Sequence, residues 1–99
     1  MKDPSVIVLV RFKSELSIEE IWRVAEERAP QFRAFGGLTQ KYYLQDPQSG
    51  EIAGLYLWSS KEDFLAFQET ELKKTIPLAY KVVGQPRVEV YDVVFPLRD

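Results

Sequence analysis

A capping box at Ser17 and Glu20 stands directly behind a run of β-branched residues, and it fixes where a strand must give way to a helix. The run, Ser5 to Lys13, follows Pro4 and reads as the first strand. Beyond Ser17, Ile18, Ile21, Trp22, Ala25, Ala29 and Phe32 return at helical spacing on one face. Pro30 would cost about 3 kcal/mol inside an uninterrupted helix, so a kink or restart is expected there before Gly36-Gly37 ends the element. The capping signature recurs at Ser60 and Asp63 ahead of Phe64, Leu65, Phe67 and Leu72, which gives a second helix. Between the helices, Leu38 to Gln45 and Glu51 to Trp58 form a hairpin around Asp46-Pro47-Gln48-Ser49-Gly50. An irregular stretch around Pro77 and Gly84-Gln85-Pro86 leads to a last strand, Arg87 to Phe95, closed by Pro96.

The element order is βαββαβ. Right-handed crossovers then place both helices on one face of a four-stranded antiparallel sheet, a ferredoxin-like α+β fold. Ninety-nine residues make one domain, 1–99, and 45% hydrophobic with 28% charged residues is the composition of a globular chain with a core to bury.

Pairing Asp46 with Glu51 puts Leu38, Tyr42 and Leu44 on one face with Ala53, Leu55 and Leu57, a set expected beneath the helices. Thr39, Lys41, Tyr43, Gly54, Tyr56 and Trp58 then fall on the helix-free face. In the first strand Val6, Val8, Val10 and Phe12 are expected under the helices, leaving Ile7, Leu9 and Arg11 open; Tyr91, with Glu89 and Val93, joins them from the last strand. A face this apolar exceeds what soluble monomers usually expose, so a homodimer stacked sheet to sheet is expected. The charges of Lys41 and Arg11 would be costly in a dry interface, which implies a partly hollow one holding water or a polar ligand.

The chain has no Cys and no His. Cys/His zinc sites, thiolate nucleophiles, iron–sulfur ligation, Ser-His-Asp triads and histidine-ligated haem are therefore excluded, and proton transfer falls to Asp, Glu, Lys or Tyr. Thirteen basic against fifteen acidic residues give a formal charge of −2, without the basic footprint of a nucleic-acid binder. RNA-recognition motifs share the βαββαβ order, but Glu51-Ile52-Ala53-Gly54-Leu55-Tyr56 carries an acid where such a motif needs a cation. The longest apolar run, Val6 to Val10, is far too short to span a membrane, and without a leader a cytoplasmic setting is expected.

Three segments carry a family resemblance: Gly37-Leu38 leading to Lys41 and Tyr43, Gly54-Leu55-Tyr56-Leu57-Trp58, and Val90-Tyr91-Asp92-Val93 followed by Pro96-Leu97. In this order and spacing they resemble the YdhR-like monooxygenase-type proteins of the antibiotic-biosynthesis monooxygenase superfamily. The resemblance implies a dimeric α/β barrel with an interior pocket on each protomer. It also implies oxidation of an aromatic or quinol-like small molecule by molecular oxygen without metal or cofactor, the substrate anion supplying the electrons. Superfamily members that degrade haem use a histidine ligand, which this chain lacks.

Within that frame Lys41 and Tyr43 are the candidate catalytic residues. Lys41 would take a phenolic proton or hold the resulting anion; the bland alternative is a salt bridge, for instance to Glu89. Tyr56, Trp58 and Tyr91 would box a planar substrate, against the alternative of dimer-core packing, and Arg11 would clamp an anionic one, against that of an edge charge. Asp92 is a carboxylate within an apolar strand and a weaker candidate base than a structural hydrogen-bonding group. Beside the enzyme stands a second reading, a non-catalytic module that binds a small apolar or aromatic ligand or only self-associates.

Overall fold

The computed structural model describes residues 3–98 and has the expected ferredoxin-like α+β architecture. Its elements are β1 (Val6–Ser14), α1 (Ile18–Arg33), β2 (Leu38–Gln45), β3 (Ile52–Trp58), α2 (Lys61–Gln68), α3 (Glu71–Lys74), α4 (Ile76–Ala79) and β4 (Val82–Asp92). The antiparallel sheet has the order β2-β3-β1-β4, so β1 and β3 are central and β2 and β4 form the edges.

Both helix starts follow the expected chemistry. The Ser17 backbone N–H donates to Glu20 Oε1 at 3.0 Å while the Glu20 N–H donates to Ser17 Oγ at 3.2 Å, satisfying two donors that a helix end leaves open. At α2 the Asp63 N–H donates to Ser60 Oγ at 3.1 Å, and the Asp63 carboxylate accepts from Ser59 Oγ at 2.6 Å and Ser60 Oγ at 2.8 Å. Gly37 exists to admit that carboxylate: a Cβ there would lie 2.2 Å from Asp63 Cγ. Helix α1 buries Ile21, Ala25 and Phe32 and runs through Pro30, which sits exposed in its last turn. The expected restart does not occur. Helix α2 buries Phe67 and leaves Leu65 half-exposed, and Leu72 falls in α3 instead of extending the same stripe.

Three further differences concern the last third of the chain. The stretch around Pro77 is ordered as the two single-turn helices α3 and α4, the first capped by Thr70 and the second carrying Pro77 near its start, where a missing N–H costs no hydrogen bond. Strand β4 begins at Val82 rather than Arg87, because Gly84-Gln85-Pro86 forms an irregularity inside the strand: pairing steps from Arg11↔Arg87 to Lys13↔Val83. Gly84 has φ 69°, and Pro86 is tolerated because β4 is an edge. Regular pairing ends at Asp92, short of Phe95, although the Val93 N–H still donates to the Ser5 carbonyl at 2.9 Å.

The hairpin register is the expected one, with the Asp46 N–H donating to the Glu51 carbonyl at 2.8 Å. The faces are exchanged. Val6, Val8, Val10 and Phe12 pair with Trp58, Tyr56, Gly54 and Ile52, so these β3 residues share the helix-side face with them. Lys41 and Tyr43, opposite Tyr56 and Gly54, go under the helices too. Tyr42 and Leu44, with Ala53, Leu55 and Leu57, occupy the helix-free face instead. Leu38 departs from its expected partners because an irregularity between Leu38 and Gln40 turns it onto the helix side, against the core.

The core is accordingly aromatic. Val6, Val8, Phe32, Tyr56, Trp58 and Phe67 form one buried cluster, and Phe12, Ile21, Ala25, Ile52 and Tyr80 a second. Trp58 is 1% exposed, with its ring centroid 5.1 Å from that of Phe67 and Phe35 edge-on at 5.8 Å. The protomer's own helices therefore enclose Trp58.

Candidate functional site

Between the sheet and the helix layer lies a cavity of about 150 Å³. Its floor is the helix-side face of β3 and β1, with Val8, Val10, Gly54, Tyr56 and Trp58; Phe64, Phe67, Ile76 and Tyr80 form the opposite wall, and Trp22 reaches it from α1. Lys41 and Tyr43 border it from edge strand β2, and Pro86 and Val88 from edge strand β4. No carboxylate lines it among the described residues. A second depression of about 290 Å³ lies on the other side of Lys41 and Tyr43, where Phe32, Arg33, Leu38 and Thr39 complete its wall.

Lys41 is the central polar group. Its Nζ lies 3.8 Å from the centroid of the Phe32 ring, 4.4 Å from that of Tyr43 and 4.5 Å from that of Tyr56, and no hydrogen bond or ion pair reaches it from the described residues. Burial among these rings, with a smaller push from the Arg28 guanidinium, lowers its pKa from 10.5 to about 7. Each ring face returns part of the lost hydration, of order 0.5–2 kcal/mol, so ammonium and free amine are both substantially populated near neutrality. Gly54 makes the arrangement possible: a Cβ on it would meet Tyr56 Cε1 at 3.1 Å and Lys41 Cε at 3.5 Å.

The tyrosines supply the opposite character. Burial raises the pKa of Tyr56 and Tyr80, the latter to about 12, and also raises that of Tyr43, so all three phenols stay protonated donors at neutral pH. The Trp58 indole Nε1 is buried without an acceptor among the described residues. The site can thus hold one aromatic ring between apolar walls, offer phenolic protons to its oxygens, and either accept a proton or balance a negative charge at Lys41.

Lys41, Tyr43, Tyr56 and Trp58 are brought together here, but inside the protomer, not on the helix-free face. Arg11 and Tyr91 are on the other side of the sheet. Arg11 Nη2 binds Asp46 Oδ2 at 2.6 Å and Arg11 Nε lies 4.0 Å from Glu51 Oε1, which is the edge-charge arrangement. Tyr91, 54% exposed, donates its hydroxyl to Glu89 Oε2 at 2.6 Å, so Glu89 is no partner for Lys41. The reason is the parity of β1: Arg11 alternates with Val10 and Phe12, and Tyr91 pairs with Ile7. Asp92, opposite Val6, is exposed at the strand end.

Phe32, Tyr80, Gly54 and Trp22 belong to the site without having been singled out for it. Phe32 and Trp22 were legible as helix-face residues, and Gly54 alternating with Tyr56 and Trp58 marks a space beneath aromatic neighbours. Tyr80 had no signal, since it closes the segment that lacks periodicity. Among the described residues no group of His, Cys, Asp or Glu is arranged to hold a metal ion, and no helix is long and apolar enough to cross a membrane.

The chain matches no protein-family model, and no curated protein matches it in sequence. Solved structures do match its fold. SnoaB, a cofactor-independent oxygenase from Streptomyces nogalater, superposes with a TM-score of 0.77 at 13% identity, over 97% of this chain and 99% of that one. A candidate antibiotic biosynthesis monooxygenase from Caulobacter crescentus gives 0.79 at 18% identity over 94% and 92%, and one from Nitrosomonas europaea 0.74 at 13% over 91% and 99%. The fold of this chain is therefore that of antibiotic-biosynthesis-monooxygenase-type proteins.

Proposed function

We propose that this protein is a small cofactor-independent monooxygenase that oxidises an aromatic or quinol-like small molecule in the cavity beneath its helices, in the manner of the YdhR-like branch. The observation that carries the reading is the ammonium of Lys41, enclosed by three rings in a cavity wall that has no carboxylate among the described residues. As free amine it takes the proton of an acidic phenol, enol or quinol; as ammonium it then balances the anion whose electrons react with oxygen. For a ring methylene the balance is one CH₂ and one O₂ giving one C=O and one water. Tyr43 and Tyr56 donate hydrogen bonds to the substrate oxygens, and the aromatic walls exclude bulk water. An apolar cavity near 150 Å³ accommodates about one benzene ring, which favours a single-ring reacting portion.

The same reading makes the protein a cytoplasmic homodimer. Tyr42, Leu44, Leu55, Leu57, Ile7 and Leu9 form an apolar helix-free face, and a second copy of the chain offers the complementary surface. Arg11 and Tyr91 belong to that face and serve the pairing of protomers, not substrate.

Oxygen uptake on a panel of monocyclic phenols, quinols and cyclic enols tests the proposal. Consumption above blank that disappears in Lys41→Met and falls in Tyr43→Phe supports it; no consumption, or consumption indifferent to both changes, overturns it. The three neutral phenols favour the second reading, a non-catalytic binder, if such compounds raise the melting temperature without turnover.

A further inference from the structure

We propose that Lys41 is an imine-forming lysine, and that the cavity captures small aromatic aldehydes or ketones covalently. This goes beyond the oxygenase reading and does not depend on it, since it needs neither oxygen nor an acidic substrate.

The geometry supplies each requirement of the reaction. A lysine condenses with a carbonyl only as the free amine, and ordinary surface lysines are almost wholly protonated at neutral pH. Among the described residues Lys41 Nζ is held by the Phe32, Tyr43 and Tyr56 ring faces, with no carboxylate in the cavity wall to keep it an ammonium and no hydrogen bond to occupy its lone pair. Desolvation in an apolar pocket is the general way a lysine becomes a nucleophile. The charged and titratable groups around it are the Tyr43, Tyr56 and Tyr80 phenols, Lys73 in the same cavity wall, Arg33 beside the adjoining depression and, farther off, the Arg28 guanidinium; burial acts most strongly on the amine, with Arg28 adding a smaller push. Arg28 is itself tied to the Leu72 carbonyl at 2.6 Å and Thr75 Oγ1 at 3.1 Å, so it stays beside the site as a fixed positive charge.

The amine nitrogen adds to the carbonyl carbon, giving a carbinolamine. Its hydroxyl leaves as water once protonated, the nitrogen loses its remaining proton, and a C=N bond stands where the C=O was; amine and carbonyl give imine and water, with no change of oxidation state. The protonated phenols are the acids within the wall, and walls this apolar slow the return of water to the imine. The cavity's volume fits the ring of a benzaldehyde-sized partner.

Benzaldehyde with sodium cyanoborohydride, applied to the full-length protein at neutral pH, tests the inference. Reduction traps each imine as a benzyl-amine, and peptide mass mapping reads which of the seven lysines carries it. Lys41 is expected to be labelled at least about tenfold faster than the mean of the other six, because its free-amine fraction at neutrality far exceeds theirs. Its labelling should fall on acidification with a midpoint near the value set by burial, while a Lys41→Arg protein of native circular dichroism should lose only this site. Labelling of Lys41 no faster than the surface lysines overturns the proposal. Oxygen uptake is read separately, so failure of either chemistry is distinguishable from failure of the other.

Discussion

The ammonium of Lys41 lies 3.8 Å above the centre of the Phe32 ring, which joins edge strand β2 to the last turn of α1 through a contact between a cation and a π-face. This contact opposes the desolvation of Lys41 without cancelling it, so the amine carries a cost in stability at low pH. Its folded pKa, about 7, is below the ordinary 10.5, so between these values the unfolded chain binds more protons than the folded one. Stability should therefore rise as pH increases from 7 toward 10, by a few kcal/mol at most. Above pH 10 the trend reverses, since burial holds Tyr56 and Tyr80 protonated when free tyrosine ionises. Urea denaturation across this range checks both limbs, and Lys41→Met should remove the rising limb while leaving the protein at least as stable at pH 7.

Gly54→Val should narrow the cavity. Its branched methyls would press on Tyr56 Cε1, only 3.1 Å from a Cβ, and on the Lys41 stem. Overpacking of this kind costs about 1–3 kcal/mol, and ligand-induced thermal shifts should vanish with it. Gly54→Ala should retain most of the stability, and calorimetry of both variants gives the comparison.

At Gly37 the constraint is closer and involves a helix cap. Gly37→Ala forces Asp63 away, breaking its bonds to Ser59 and Ser60 at the start of α2. A loss of at least about 1–2 kcal/mol is expected in chemical denaturation, comparable to losing a helix cap. Gly36→Ala, with open space around its Cβ, should cost far less.

Arg11→Gln should leave oxygen uptake unchanged, because the sheet separates Arg11 from Lys41. Its bridge to Asp46 is partly solvated, so the stability loss should stay below about 1 kcal/mol. An activity loss matching that of Lys41→Met would mean that the helix-free face takes part in the reaction.

Tyr42→Lys combined with Leu44→Lys should split the proposed homodimer. These side chains are 47% and 39% exposed on the helix-free face, and burying such groups is worth roughly 1.5–3 kcal/mol each. Sedimentation should show dimers for the parent chain and monomers of native circular dichroism for the double variant. A parent chain that sediments as a monomer at micromolar concentration rejects the dimer.

The sequence exposed the caps and the hairpin register because each is written in a few adjacent residues: Ser17 with Glu20, Ser60 with Asp63, Asp46 with Glu51. Which side of the hairpin meets the helices is not written locally. β3 is central and apolar on both faces, Ala53, Leu55 and Leu57 on one and Ile52, Tyr56 and Trp58 on the other, so alternation alone permits either orientation. Pairing with β1 decides it, since Val8 opposite Tyr56 and Val6 opposite Trp58 bring the largest rings beneath the helices. The irregularity at Thr39 that turns Leu38 inward, and the one that carries Gly84 to Pro86 inside β4, are set by partners far along the chain. The chemistry of Lys41 among aromatics was legible; its enclosure within one protomer, with Phe32 and Tyr80 for neighbours, was not.

A histidine-free molecule has few ways to sense mild acidity. Here the phenols around the cavity stay protonated, while burial brings the Lys41 amine near the point where both of its states are populated. A change of pH across neutrality would thus be registered at that nitrogen, turning the interior from a host for anions into a reactive base.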